Sequence, residues 1–173
     1  IMSILLVVRH TRAEEQTGRQ ELLGATSVGH RAPLTAALSV ALLANCAVAA
    51  AAAIVLPLLG CTFSGALALG LAVGSCGFCF AGVAAVPAPL AAPSRAANGA
   101  ACAALGVFYL IRAAADARGG GRLMWCSPLG WAERVDAYGA DRWWVLALLL
   151  LTGLLLAAAA TRLAAGRDLG AGM

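Results

Sequence analysis

Four apolar stretches, residues 33–59, 65–86, 99–115 and 143–161, decide what this chain can become. A helix needs about 20 residues to cross a hydrocarbon core about 30 Å thick, and each stretch is of that order. In hydrocarbon every backbone N–H and C=O must be satisfied within the structure, which an α-helix achieves alone and an open strand does not. The expected fold class is therefore all-α: a polytopic α-helical membrane protein with four full transmembrane helices. Composition agrees, since 62% of residues are apolar and 12% charged, against about 45 to 50% apolar in soluble domains. The stretch 99–115 is the shortest and carries Arg112 near one end, from where an arginine can snorkel to the interface.

A fifth apolar run, residues 1–8, is too short to cross. Arg9 and Arg12 follow it rather than precede it, the reverse of a secretory signal. It reads as the last two turns of a span that begins earlier in a longer protein, and Ile1 in place of an initiator residue fits that expectation.

Between this run and the first full span lies RHTRAEEQTGRQELLGATSVGHR, residues 9–31, with seven charged residues and both histidines. Thr11 and Glu14 form a T-x-x-E capping box, so a helix is expected from near Arg12, with Glu14, Glu15, Arg19 and Glu21 on its wet side and Gly24 as its stop. Such a water-exposed amphipathic element is a handle by which something outside the membrane can push on the spans. A solvated connector without a partner is the alternative. Pro33 then suits the first helical position of the next span.

The expected organisation is the end of a truncated helix (1–8), a polar loop (9–32), a transmembrane bundle (33–161) that includes a non-spanning segment (116–142), and a tail (162–173). In the first span Asn45 is expected to hydrogen-bond a neighbouring helix, and in the second Gly70 and Gly74 make a G-x-x-x-G packing face. The uncharged turn 60–64 must join antiparallel neighbours, and PAPLAAPSRAAN, residues 87–98, reads as a proline-broken loop. All four tryptophans, Trp125, Trp131, Trp143 and Trp144, fall within residues 124–144 with Tyr138, a concentration typical of membrane interfaces. Ser127 before Pro128 is a helix-start signal, predicting a short helix over 128–137 that lies in or dips into the interface. A plain loop with aromatic anchors is the alternative.

Seven arginines, Arg9, Arg12, Arg19, Arg31, Arg95, Arg162 and Arg167, fall on one side of this arrangement; four, Arg118, Arg122, Arg134 and Arg142, fall on the other. The richer side is expected to be cytoplasmic, which puts residues 9–32, 87–98 and 162–173 inside and the tryptophan-rich segment outside.

The spans contain no histidine, carboxylate or lysine. A carrier coupled to protons or sodium would bury an ionisable group in its pathway, and a chain that hydrolyses its own nucleotide would carry a phosphate-cradling G-x-x-x-x-G-K loop. Neither is present, so the chain is expected to be no enzyme, with no catalytic residue, no metal site and no cofactor; any transport energy comes from elsewhere. Cys76 and Cys79 have the spacing of a redox or metal half-site but no second pair or nearby histidine, and read as polarizable packing residues. Cys61 and Cys126 could pair on an oxidising face, which the sequence leaves open. The arginines form no basic face interleaved with aromatics, which argues against nucleic acid as a partner.

The runs MSILLVVRHTRAEEQTGRQELLGATSVGHRAPLTAAL, FAGVAAV, SPLGWAERV with DRWW, and RDLGAGM, in that order over nearly the whole chain, resemble the permease subunits of bacterial ABC-2 type exporters, closest to the actinobacterial polyketide or tetronasin antibiotic exporter group. The resemblance implies that residues 9–23 match the cytoplasmic coupling helix that docks on an ABC ATPase subunit, with Arg12, Glu14, Glu15, Arg19 and Glu21 as the contact residues. It also implies short re-entrant helices outside, matching about residues 127–138, with Trp125, Ser127, Pro128, Trp131 and Tyr138. The spans would be the end of the second and all of the third to sixth of one six-span half, facing a second permease half, in a multi-pass plasma-membrane protein. The expected function is ATP-driven efflux of hydrophobic or amphiphilic small molecules such as antibiotics through the lipid bilayer; a non-transporting four-helix scaffold or regulatory subunit that binds a cytosolic partner is the alternative.

Overall fold

The computed structural model describes residues 32–87 and 94–170. The apolar run 1–8, the capping box and the polar element with Arg12, Glu14, Glu15, Arg19 and Glu21 lie outside the described residues. Within them the elements are α1 (Ala32–Leu58), α2 (Phe63–Ala85), α3 (Ser94–Ala117), a 3-10 helix (Gly121–Cys126), α4 (Pro128–Arg134) and α5 (Trp143–Gly170), with no strand among the described residues. Four helices hold apolar windows of spanning length, Leu34–Leu58, Phe63–Ala85, Gly99–Ala117 and Trp143–Ala164. The all-α fold with four membrane-spanning helices is thus borne out.

Two helices outrun the expected spans. Helix α3 starts at Ser94, inside the stretch read as loop to residue 98, because Arg95, Ala96 and Ala97 are strong helix formers and the prolines stop at Pro93. Helix α5 continues past residue 161 to Gly170; Leu163, Ala164 and Ala165 prolong it for the same reason.

The bundle is built around α2. Of its apolar window 67% is buried, against 22% for α1, 11% for α3 and 28% for α5. Small residues on two faces explain this. On one face, Gly70 and Gly74 let the α1 backbone come close: a Cβ built on Gly70 would stand 2.6 Å from the Ala49 carbonyl oxygen, and one on Gly74 2.9 Å from that of Asn45. Asn45 is buried at this contact and its Nδ2 donates to the Ala41 carbonyl one turn back, at 2.7 Å. On the other face, Gly82 meets α5 at the Gly153 carbonyl and Leu156, while Gly153 meets Phe78 and Cys79 of α2. Between lipid-covered helices the driving force is close van der Waals packing rather than removal from water, so glycine earns its place where backbones touch.

Helices α1 and α2 run antiparallel across a four-residue turn, in which Gly60 takes φ +93° and Cys61 N–H donates to the Leu56 carbonyl at 3.1 Å. The turn carries no charge, and Leu58, Leu59 and Phe63 around it are exposed. Helix α3 stands apart. It meets α2 through an edge-to-face pair, Phe80 with Phe108, ring centroids 5.9 Å apart, and is otherwise fastened by the segment between α3 and α5.

Candidate functional site

Residues 121–142 form a hairpin folded into the bundle. The chain leaves α3 through Gly119, Gly120 and Gly121, all at positive φ, where glycine avoids the left-handed penalty. The 3-10 helix and α4 are its two arms, with Ser127 and Pro128, both buried, at the tip.

Contacts with α2 give the depth. Tyr138 lies over Gly65 near the start of α2. Val135 packs with Ala68 and Ala72, and the Cys76 thiol donates to the Pro128 carbonyl at 3.7 Å. Cys76 lies thirteen residues beyond Phe63, about 20 Å along the helix axis at about 1.5 Å per residue. The other wall agrees: Ser127 Oγ donates to the Phe108 carbonyl at 2.9 Å, nine residues or about 14 Å before the end of α3. Both values put the tip level with the middle stretches of α2 and α3.

This geometry corrects the role read for Ser127. A helix does start at Pro128, but the Ser127 side chain makes no cap hydrogen bond; its hydroxyl serves α3 instead, where the Phe108 carbonyl accepts it. The helix also stops at Arg134 rather than 137. Asp136 and Tyr138 adopt positive φ, which ends helical propagation, and Arg142 N–H turns back to the Val135 carbonyl at 2.7 Å. The return to α5 is pinned by Asp141: it accepts from Ser64 Oγ at 2.5 Å and from the Tyr138 backbone N–H at 3.2 Å. Desolvation, then the neighbouring Cys61 thiol, pushes the Tyr138 phenol above its ordinary pKa.

Trp125 joins the arms. Its ring stacks on Trp144 at 5.4 Å and 20°, the Arg134 guanidinium lies 4.8 Å from the ring centroid, and its carbonyl accepts from Trp131 Nε1 at 2.7 Å. Arg134 Nη2 also donates to the Gly121 carbonyl at 2.8 Å, closing the mouth of the hairpin.

Sequence reasoning missed Gly130, Glu133 and the pairing of Arg112 with it. Arg112 Nη2 bonds Asp116 Oδ2 at 3.2 Å and also Glu133 Oε1 of α4. An arginine within an apolar window commonly pairs with an acid, and that rule pointed to Asp116 on the same helix and to Glu133 in the segment that follows. Gly130 sits against the opposite arm, where a Cβ would land on the Met124 carbonyl oxygen, with its carbon at 3.1 Å. Gly130→Ala is therefore expected to cost about 2 kcal/mol by forcing backbone apart, read as earlier thermal unfolding in detergent by tryptophan fluorescence; an unshifted transition would mean that the arms are not in contact.

Among the described residues no three His, Cys, Asp or Glu side chains gather as a metal would need. All six cysteines are free thiols; Cys61 and Cys126 are exposed, while Cys76 and Cys79 are buried packing residues of α2.

No protein-family model matches the chain. Over 170 residues, 98% of its length, it is 46% identical to a multidrug efflux system permease protein of Mycobacterium tuberculosis. The chain is related to an efflux-system permease. It spans 31% of that relative's length. With four helices of spanning length, this permease-related chain is a multi-pass membrane protein, and the resemblance read from its ordered motifs is borne out as kinship with a permease.

Proposed function

We propose that the chain is a transmembrane part of an ABC-2 type, ATP-driven exporter of hydrophobic or amphiphilic compounds, acting with an ABC ATPase subunit and a second permease half. The observation that carries this reading is the 46% identity over 98% of the chain to a protein named as a multidrug efflux permease. The absence of carboxylate, histidine and lysine from the apolar stretches read as spans supports an energy source outside the chain, since ion-coupled carriers bury ionisable groups.

In this proposal residues 9–23 form the coupling helix on the cytoplasmic side, together with 87–98 and 162–173, and the hairpin enters from outside. Closure of the ATPase displaces the coupling helix through Arg12, Glu14, Glu15, Arg19 and Glu21. The displaced helices rock, and an apolar path between the halves changes the side to which it opens. The permease supplies the path and the leverage, and bonds are broken only in the partner.

Reversing Glu14 and Glu15 to arginine in the full chain tests the coupling. Like charges brought face to face across an interface cost several kcal/mol, so ATPase co-purification and export should both fall by about tenfold or more while membrane insertion is retained. Unchanged co-purification with unchanged export would remove residues 9–23 from the docking surface.

A further inference from the structure

Helix α3 depends on the hairpin for its place. Only 11% of its apolar window is buried; Ala101, Leu105 and Phe108 give it a narrow apolar seam with the core, and its two side-chain polar ties to the hairpin are Ser127 Oγ to the Phe108 carbonyl and Arg112 to Glu133. The second tie is unusual in its seating. Arg112 Nε is buried without a hydrogen-bond partner among the described residues, so part of the guanidinium has already left solvent. The two side chains remain 30% and 38% exposed, so solvent screens the charge in part, and the latch draws on the geometry of the charge-assisted bond. Glu133 stands on the arm whose first residue, Pro128, covers the Cys76 thiol in the middle of α2.

We propose that Arg112 and Glu133 form a latch that holds α4 down between α2 and α3 and thereby keeps water from Cys76. With the latch closed, α3 and the hairpin are one unit, and Pro128, Leu129 and Phe108 fill the space beside Cys76 and Phe80. With it open, α4 keeps its apolar contacts to α2 and α5 but its only remaining side-chain hydrogen bond to α3 is that of Ser127, so the hairpin lifts more readily and the middle of α2 is wetted. Glu133 is thus a positioning residue for the outer half of the bundle. Asp116 makes the device robust: when Glu133 is removed, Arg112 retains Asp116 one turn away, and no charge is stranded.

That retained partner makes Glu133→Ala a usable test in the full chain, in membranes. The readout is the rate at which N-ethylmaleimide modifies Cys76, followed by mass spectrometry with exposed Cys61, in the turn between α1 and α2, as the reference, so that the result does not depend on whether the chain exports anything. Glu133→Ala is expected to raise the Cys76 rate about tenfold, leaving Cys61 unchanged. The charge-swapped double variant, Arg112→Glu with Glu133→Arg, should return to the parent rate, and Asp116→Asn, which leaves the latch intact, should not differ from the parent. An unchanged Cys76 rate in Glu133→Ala, or a double variant as fast as Glu133→Ala, overturns the latch. If the double variant does not accumulate, Glu133→Asp replaces it: a rate between those of the parent and Glu133→Ala supports the latch, and a rate equal to that of Glu133→Ala overturns it.

Discussion

Leucine at Gly70 or Gly74 will unseat α1 from α2. The neighbours that a side chain would meet are main-chain carbonyls, Ala49 O at 2.6 Å and Asn45 O at 2.9 Å, and these cannot rotate aside as a side-chain end can. Alanine alone should cost about 1–3 kcal/mol at either position, the range for overpacking a filled site, and leucine more. Loss of resistance to unfolding by SDS in mixed micelles is the readout. Gly99 and Gly106 of α3 are the controls, because a Cβ at either meets nothing within 4 Å; alanine there removes backbone freedom without a clash and should be neutral or stabilising. Equal losses at all four positions would mean that the close approach of α1 and α2 is not what the glycines provide.

Removal of the Trp125 ring should be the most damaging single change in the hairpin. Trp125→Ala deletes the stack on Trp144 and the face that covers Arg134 in one step. Truncating a packed tryptophan costs about 3 kcal/mol or more, to which the aromatic pair and the cation over the ring contribute about 0.5–1.5 kcal/mol and about 0.5–1 kcal/mol. The hydrogen bond from Trp131 Nε1 goes to the backbone carbonyl of residue 125 and survives the substitution. Circular dichroism should lose the exciton signal of coupled indoles, and the hairpin should become open to protease near Arg122 and Arg134. Trp125→Phe keeps a stacking ring and should lose much less. A variant with alanine at 125 that retains both the parent stability and protease resistance would show that the arms are held elsewhere.

The spans were legible because hydrocarbon imposes a length and forbids charge, and both are properties of a stretch of residues that can be read without knowing its neighbours. The same is true of the turn at Gly60 and of the small face at Gly70 and Gly74. The hairpin was half legible. Tryptophans and a Ser-Pro start announced an interfacial helix, yet nothing in SPLGWAERV states how deep its first residue will lie. Depth is a tertiary fact, set by Pro128 meeting Cys76 and Ser127 meeting Phe108. Ser127 misled for the same reason, since a serine before a helix commonly caps it, but here a carbonyl of another helix won the hydroxyl. Arg112 was read by its distance from the end of a span, and the acid that holds it is twenty-one residues away on an element too short to be aligned with it in advance. The polar element at residues 9–31 lies outside the described residues, so its role rests on charge pattern and kinship.

The uncharged turn between α1 and α2 bears on how the chain enters a bilayer. Moving a charged residue through the centre of a membrane costs about 2.5–3.5 kcal/mol even on insertion-based scales, and the leading loop of a helical pair must make that passage. Here it consists of Leu59, Gly60, Cys61 and Thr62, with backbone groups partly satisfied inside the turn. The two helices that touch most closely can therefore be delivered together as a closed pair, backbone against backbone, before α3 and the hairpin arrive to be fitted on their far side.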